Sequence, residues 1–108
     1  MKYIINDKNY EIVKNYKDGF DYEEVRNKCS ETDYFDEYDY IVGDWSYGKL
    51  RLKGFCDKEN KLFKDINDIN KVDEYIKNLC AYECKYFIIK KIKWVLNSFF
   101  LFIILLVI

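Results

Sequence analysis

The chain has 108 residues, half of them apolar and 19% aromatic, which is enough for the core of one small domain but not of two. Its 18 basic and 19 acidic residues leave a formal net charge of −1, so no overall field attracts nucleic acid or an acidic partner. Histidine is absent from the sequence, which excludes histidine-dependent catalytic triads and most catalytic zinc sites.

The first part of the chain predicts a β-hairpin followed by a helix. Apolar and polar residues alternate in residues 2–6 and 10–15, on either side of a polar turn at residues 7–9. This pattern is typical of two paired strands. Asp21 then fits the N-cap of a short helix, because Glu24 stands three residues later, where a capping-box partner belongs.

The middle of the chain predicts a second hairpin, with strands at residues 38–44 and 49–56. Side chains alternate between the two faces of a strand. In the second of these strands, therefore, the two leucines share one face and the basic residues share the other. The leucines are Leu50 and Leu52, and the basic residues are Lys49, Arg51 and Lys53.

The last part predicts a helix and a final strand. Ile69, Val72 and Ile76 follow the helical period, and Asp68 or Asn67 precedes them as a candidate cap. Residues 85–89 are nearly all apolar, which suits a central strand covered on both faces. The predicted order is ββαββαβ. It indicates an α+β fold with a mainly antiparallel sheet in one small domain, residues 1–93.

Residues 38–55, YDYIVGDWSYGKLRLKGF, resemble the signature segment of the YutD-like family of small bacterial proteins. Residues 18–21 (DGFD) and 80–88 (CAYECKYFI) add to the resemblance, which covers roughly residues 10–89. Ser46 departs from the glycine that such proteins show after the tryptophan. The family has no established biochemical function, so the resemblance implies a fold and a bacterial origin rather than an activity.

The second hairpin also carries the candidate binding surface. Two glycines bracket an acid, an indole and a phenol, and the basic strand face begins next to them. A basic sheet face with aromatic rings can bind single-stranded RNA or a phosphate-bearing partner. The alternative is structural: the glycines serve a tight connection, Trp45 caps the core, and the basic face is merely solvated. The candidate residues are Asp44, Trp45, Tyr47, Gly48, Arg51 and Lys53, with Gly43 opening the loop.

The four cysteines offer a second candidate site. Cys80 and Cys84 are four residues apart, which is not the spacing of a zinc knuckle or a thioredoxin-like motif. A zinc site shared with Cys29 and Cys56 is conceivable, because thiolates suit zinc. We expect instead that Cys80 and Cys84 are reduced and metal-free, and that no cofactor is needed.

Residues 94–108, from Trp94 to Ile108, are apolar and uncharged, and three lysines stand just before them. Three interpretations are open. The segment is a short membrane anchor with the lysines in the cytoplasm, the product of an altered reading frame in A/T-rich DNA, or a helix buried on the domain. We expect a helix that projects from the domain, and a domain that folds without it.

These observations favour a non-catalytic binding module that contacts RNA, a ribonucleoprotein or a protein partner. The alternatives are a small enzyme or metal protein centred on the cysteines and the Gly43 to Gly48 loop, and a membrane-tethered adaptor. Residues 1–15 are polar and strand-like rather than like a signal peptide. We therefore expect a cytoplasmic chain, associated with the membrane only through residues 94–108. The sequence leaves the identity of the partner open.

Overall fold

The computed structural model describes residues 2–79 and 84–92, and in this part of the chain one sheet carries a helix on each face. The strand order is β1-β2-β5-β3-β4, and every pair of neighbouring strands is antiparallel. The predicted α+β fold and element order are therefore confirmed. The strands are β1 Lys2–Ile5, β2 Lys8–Tyr16, β3 Tyr40–Ser46, β4 Lys49–Phe55 and β5 Tyr86–Lys91, and the helices are α1 Tyr22–Ser30 and α2 Val72–Leu79.

The core lies on both sides of the sheet, because β5 is its central strand and is apolar on both faces. Phe87 and Ile89 point to the side of α1, where they pack with buried Val25. Ile88 points to the opposite side, where Tyr75 and other residues of α2 cover it. We call these two clusters the α1-side core and the α2-side core. A strand buried on both faces was the prediction for this segment, and it is confirmed.

Both hairpin turns are tighter than predicted. The first occupies Asn6 and Asp7, at φ of 50° and 65°, rather than residues 7–9. The second occupies only Tyr47 and Gly48, at φ of 53° and 74°. Two residues in the left-handed region match the twist of the strands that they connect. The six-residue loop predicted from Gly43 to Gly48 is therefore wrong, since β3 continues to Ser46.

The helix starts follow the predicted caps. Asp21 is the N-cap of α1, and its side chain accepts a hydrogen bond from the Glu24 amide at 3.2 Å. Two 3₁₀ turns, Asp65–Asn67 and Ile69–Lys71, precede α2. Asp68 caps the second of them by accepting from the Asn70 amide at 2.9 Å. The predicted cap thus acts one 3₁₀ turn before the α-helix itself.

Two predictions concern residues that the structure does not describe. The apolar segment 94–108 and Cys80 both lie outside the described residues. Within residues 2–79 and 84–92, the helices are too short and too polar to cross a bilayer.

Candidate functional site

The predicted binding residues lie in three different places on the β3–β4 hairpin. Asp44 pairs with Arg51 across the two strands, and both point to the α2 side of the sheet together with Lys53. Trp45 pairs with Leu50 and points to the α1 side. The alternation of side chains along a strand separates them, because Asp44 and Trp45 are consecutive residues of β3. Tyr47 and Gly48 form the turn between the strands.

Trp45 is mainly a structural residue. Its ring packs half-buried against the α1-side core, and its Nε1 donates a hydrogen bond to the Gly19 carbonyl oxygen at 2.7 Å. This bond ties the hairpin to the turn that precedes α1. On the outer side, the Lys85 ammonium lies 5.5 Å from the centre of the indole. Capping of the core by Trp45 was the structural alternative in the sequence, and the contacts agree with it.

Asp44 and Arg51 form an ion pair that is buried at one end. Asp44 is 3% exposed, while the Arg51 side chain is 45% exposed. Nε of Arg51 donates to Oδ1 of Asp44 at 2.8 Å, and Nη2 donates to the same oxygen. A buried carboxylate needs such a partner, because desolvation of an unpaired charge is costly. The guanidinium therefore has a structural task, and only its outer edge faces solvent.

Lys53 is also engaged in the fold. Its Nζ donates to the Ile66 carbonyl oxygen at 2.7 Å and lies 4.5 Å from the centre of the Tyr75 ring. These contacts connect β4 to the segment that leads into α2. Its charge nevertheless has no carboxylate partner among residues 2–79 and 84–92. The contacts of Lys53 with Ile66 and Tyr75 could not be predicted from the sequence, since they join residues far apart along the chain.

Tyr47 is the residue of this hairpin that projects freely. Its side chain is fully exposed, and its backbone has a φ of 53°. Residues other than glycine, asparagine and aspartate are uncommon in this left-handed region. A bulky residue such as tyrosine is held there at a cost in conformational energy. A two-residue turn between paired strands holds the chain there. The turn therefore fixes the backbone that carries the ring, and nearly all of the ring surface is available.

A groove of about 380 Å³ runs beside the hairpin on the α1 side. Trp45 and Leu50 supply its apolar surface, while charged residues of both signs come from α1 and from the start of β4. The sequence did not indicate this groove, because only the packing of α1 beside the hairpin creates it. Its charged residues are Glu24, Lys28, Glu31 and Lys49.

The cysteines do not form the alternative site in the part of the chain that the structure describes. Cys29 and Cys56 are buried and free, and no three potential ligands are grouped for a metal among the described residues. Burial, and then the nearby Asp36 carboxylate, raise the pKa of the Cys29 thiol to about 11. Cys84 is disulfide-bonded. The prediction of a reduced Cys84 is therefore wrong, because spacing along a sequence does not show which sulfur atoms meet.

We expect the two free thiols to be unreactive in the folded protein. At pH 8, a pKa of about 11 leaves roughly one Cys29 side chain in a thousand as the reactive thiolate. Burial also raises the pKa of Cys56. Labelling with 5,5′-dithiobis(2-nitrobenzoate), with the labelled peptides mapped by mass spectrometry, should be at least about 100-fold slower in the native protein than in guanidinium chloride. Equal rates would show that these thiols are accessible.

Comparisons with known proteins agree on one family. Residues 4–90 match the family model described as "YutD-like: Putative antitoxin YutD-like". The chain is 44% identical over 90 residues to "Putative antitoxin YutD" of Bacillus subtilis (strain 168). The aligned region covers 83% of this chain and 97% of that protein. The solution NMR structure of protein yutD from B. subtilis superposes with a TM-score of 0.69 at 42% identity, covering 86% of this chain and 83% of that one. The chain belongs to the YutD-like family.

Proposed function

We propose that this protein is a non-catalytic, cytoplasmic binding module that contacts a protein partner through the tip of the β3–β4 hairpin. The observation that carries the proposal is the fully exposed ring of Tyr47 on the two-residue turn between β3 and β4. The B. subtilis relative carries the name "Putative antitoxin YutD". We therefore take the partner to be a toxin, which this chain would inhibit by binding it.

The position of Tyr47 suits recognition of a protein. Tyrosine is enriched among the residues that dominate binding energy at protein interfaces, because it offers a large contact area with few rotatable bonds. Here the turn also fixes the backbone, so the conformational entropy lost when the ring enters a partner's pocket is mainly that of the side chain. Among residues 2–79 and 84–92, no aromatic ring packs against Tyr47, so no such contact offsets the cost of its positive φ.

Protein is favoured over RNA by the state of the basic residues. Two of the three cations of the predicted basic face have structural partners: Arg51 binds the buried Asp44 carboxylate, and Lys53 donates to the Ile66 carbonyl oxygen. Contacts with phosphate groups supply most of the affinity of nucleic-acid binding. Lys49 alone, on a chain whose net charge is −1, is a weak basis for such contacts.

A catalytic role is disfavoured by the chemistry of the side chains. No histidine is available as a general base at neutral pH. The free thiols are buried, and burial raises the pKa of both Cys29 and Cys56. A nucleophilic cysteine needs the opposite environment, accessible and with a lowered pKa.

The test is the substitution Tyr47→Asn. Asparagine tolerates positive φ better than tyrosine, so the variant should fold at least as well as the wild type. Affinity capture from native cells, with partners identified by mass spectrometry, should recover a protein whose expression alone slows growth. Co-expression of the wild type should relieve this inhibition, while Tyr47→Asn should bind the same purified protein at least about tenfold more weakly.

Tyr34→Asn is the matched control, because Tyr34 is also exposed but lies outside the hairpin. This control variant should bind the captured protein like the wild type. Capture of RNA without protein, or equal binding by Tyr47→Asn and the wild type, would contradict the proposal.

A further inference from the structure

Strand β4 forms one edge of the sheet, and part of this edge is open. Among the strands of the described residues, β4 pairs with β3 alone. The backbone groups of an edge strand that point away from its neighbour lack a ladder partner, which makes such an edge a template for another strand. The question is therefore which groups of β4 point outward and which of them are already used.

Two observations define the outward set. The Trp45 amide donates to the Lys85 carbonyl oxygen at 3.1 Å, so Trp45 directs its backbone groups toward β5. Leu50, the partner of Trp45, is then in a non-hydrogen-bonded pair, and its backbone N–H and C=O point away from β3. The backbone groups of Leu52, two residues further along, point the same way. Cys56 lies an even number of residues from Leu52, so its backbone groups point in the same outward direction. Its amide donates to the Asn67 carbonyl oxygen at 2.8 Å, and its carbonyl oxygen accepts from the Ile69 amide at 3.1 Å.

The edge of β4 is thus extended at one end and open at the other. Around Cys56 the chain itself adds a parallel bridge. At Leu50 and Leu52, no side chain or loop of the described residues donates to or accepts from the outward backbone groups. The opposite edge of the sheet differs, because the Tyr22 hydroxyl donates to the Ile4 carbonyl oxygen of β1 at 2.7 Å. Of these two edges, β4 is the one prepared for addition of a strand.

We propose that an extended segment of the protein partner adds to β4 along residues 49–53, with acidic and apolar residues in alternation. This inference rests on the proposed function, since it assigns a second contact of the same hairpin. Backbone hydrogen bonds to Leu50 and Leu52 would supply affinity, and the two faces of the added strand would supply specificity.

The surroundings of the edge define the chemistry of the added segment. Lys49 and Lys53 belong to the α2 side by strand alternation, although Lys49, next to the turn, also borders the α1-side groove. Neither cation has a carboxylate partner among the described residues. Acidic side chains of an added strand would lie next to them. On the α1 side, an added strand would first meet Trp45 and Leu50, which form the apolar part of a groove whose other lining residues are mostly charged. Apolar side chains would lie against these two residues. A second copy of β4 is disfavoured, because antiparallel self-pairing would place its cations opposite those of the first.

The probe is a nine-residue synthetic peptide of alternating Glu and Val, titrated into ¹⁵N-labelled protein. We expect chemical-shift changes centred on the amides of Leu50 and Leu52, and slower hydrogen exchange of both amides in the complex. Alternate amides of a strand point to opposite edges, so only one set of the peptide amides can face β4. N-methylation of that set should weaken binding about tenfold, and N-methylation of the other set less than about twofold.

Charge is tested with a second peptide that alternates Lys and Val, and with the variant Lys49→Glu. The Lys peptide should bind wild type at least about fivefold more weakly than the Glu peptide, and Lys49→Glu should reduce this preference. Equal effects of the two N-methylation patterns, shift changes elsewhere on the sheet, or self-association of the protein would each overturn the proposal.

The two proposals fail separately. If the captured partner binds in a Tyr47-dependent way while the Leu50 and Leu52 amides stay unprotected in that complex, the edge proposal is wrong and the proposed function stands. If the Glu peptide protects these amides but no captured protein depends on Tyr47, the edge proposal stands and the proposed function fails.

Discussion

Gly43→Ala is expected to lower the free energy of unfolding by about 3 kcal/mol, the upper part of the range for overpacked cores. An added Cβ would lie 2.1 Å from Cζ of Phe87, and the next two atoms it meets belong to the same ring. Phe87 is fully buried on the central strand and pairs directly with Gly43. Its ring also packs edge-on against Phe20, with 5.1 Å between the centroids, so a shift of the Phe87 ring also disturbs Phe20.

Gly54→Ala is the matched control, because it adds the same methyl group to the neighbouring strand. Its Cβ would meet the Tyr38 ring at 2.4 Å. The atoms met are Cγ and both Cδ atoms at the base of that ring. Because the ring is only half-buried, a rotation about χ1 toward solvent can relieve the contact. We expect a loss of about 1 kcal/mol. Urea unfolding measures both values, and the difference between the two variants should appear as a shift of about 8–16 °C in melting temperature.

A double variant identifies the contact responsible. Combining Gly43→Ala with Phe87→Leu should cost less than the sum of the two single changes, because the smaller side chain leaves room for the methyl group. Equal losses for Gly43→Ala and Gly54→Ala, or additive effects in the double variant, would show that Gly43 is not required by the Phe87 ring.

Arg51→Met is expected to lower the free energy of unfolding by about 2 kcal/mol. The change leaves the Asp44 carboxylate, which is 3% exposed, without the two hydrogen bonds that Arg51 donates to it. Loss of one partner from a fully buried pair costs roughly 3–5 kcal/mol. The Arg51 side chain is 45% exposed, and water can therefore replace part of its contribution. Urea unfolding at pH 7 measures the loss.

Two variants test the assignment of this effect to the buried carboxylate. Lys49→Met removes a cation from the same face of β4 without disturbing an ion pair, and it should change stability by less than about 0.5 kcal/mol. Replacing both members of the pair, Asp44→Val with Arg51→Met, should recover most of the loss, since no charge then stays buried. If Lys49→Met and Arg51→Met cost the same, the ion pair does not stabilise the fold.

Much of the fold follows from local patterns in the sequence. Alternation in residues 38–56 predicted the second hairpin and the faces of its side chains, and Asp21 with Glu24 predicted the start of α1. The apolar run before Lys90 predicted a central strand. These features depend on the period of a strand or helix and on hydrogen bonds within one turn. Such interactions are visible in a single segment of the chain.

The candidate site depended on interactions between distant segments. The sequence identified the residues of the hairpin tip, including the exposed Tyr47. It also predicted that Trp45 and Arg51 share one surface, whereas they lie on opposite faces of the sheet. The predicted loop was too long, because glycine is typical of turns and Gly43 was assigned to one. In the structure, its lack of a side chain leaves room for the ring of Phe87 on another strand. From the sequence, we expected the Trp45 indole and the Lys53 cation to be free for binding. In the structure they donate hydrogen bonds to the carbonyl oxygens of Gly19 and Ile66.

By itself, then, the sequence determined which segments are strands and helices, which side chains share a face, and to which family the chain is similar. The tertiary structure alone decided that β4 lies at an edge of the sheet that the described residues form, that none of these residues hydrogen-bonds the outward groups of Leu50 and Leu52, and that α1 forms a groove beside them. The physical reason is that strand order and side-chain partners are set by packing across the whole sheet. Residues that are neighbours there, such as Gly43 and Phe87, are separated by nearly half of the chain.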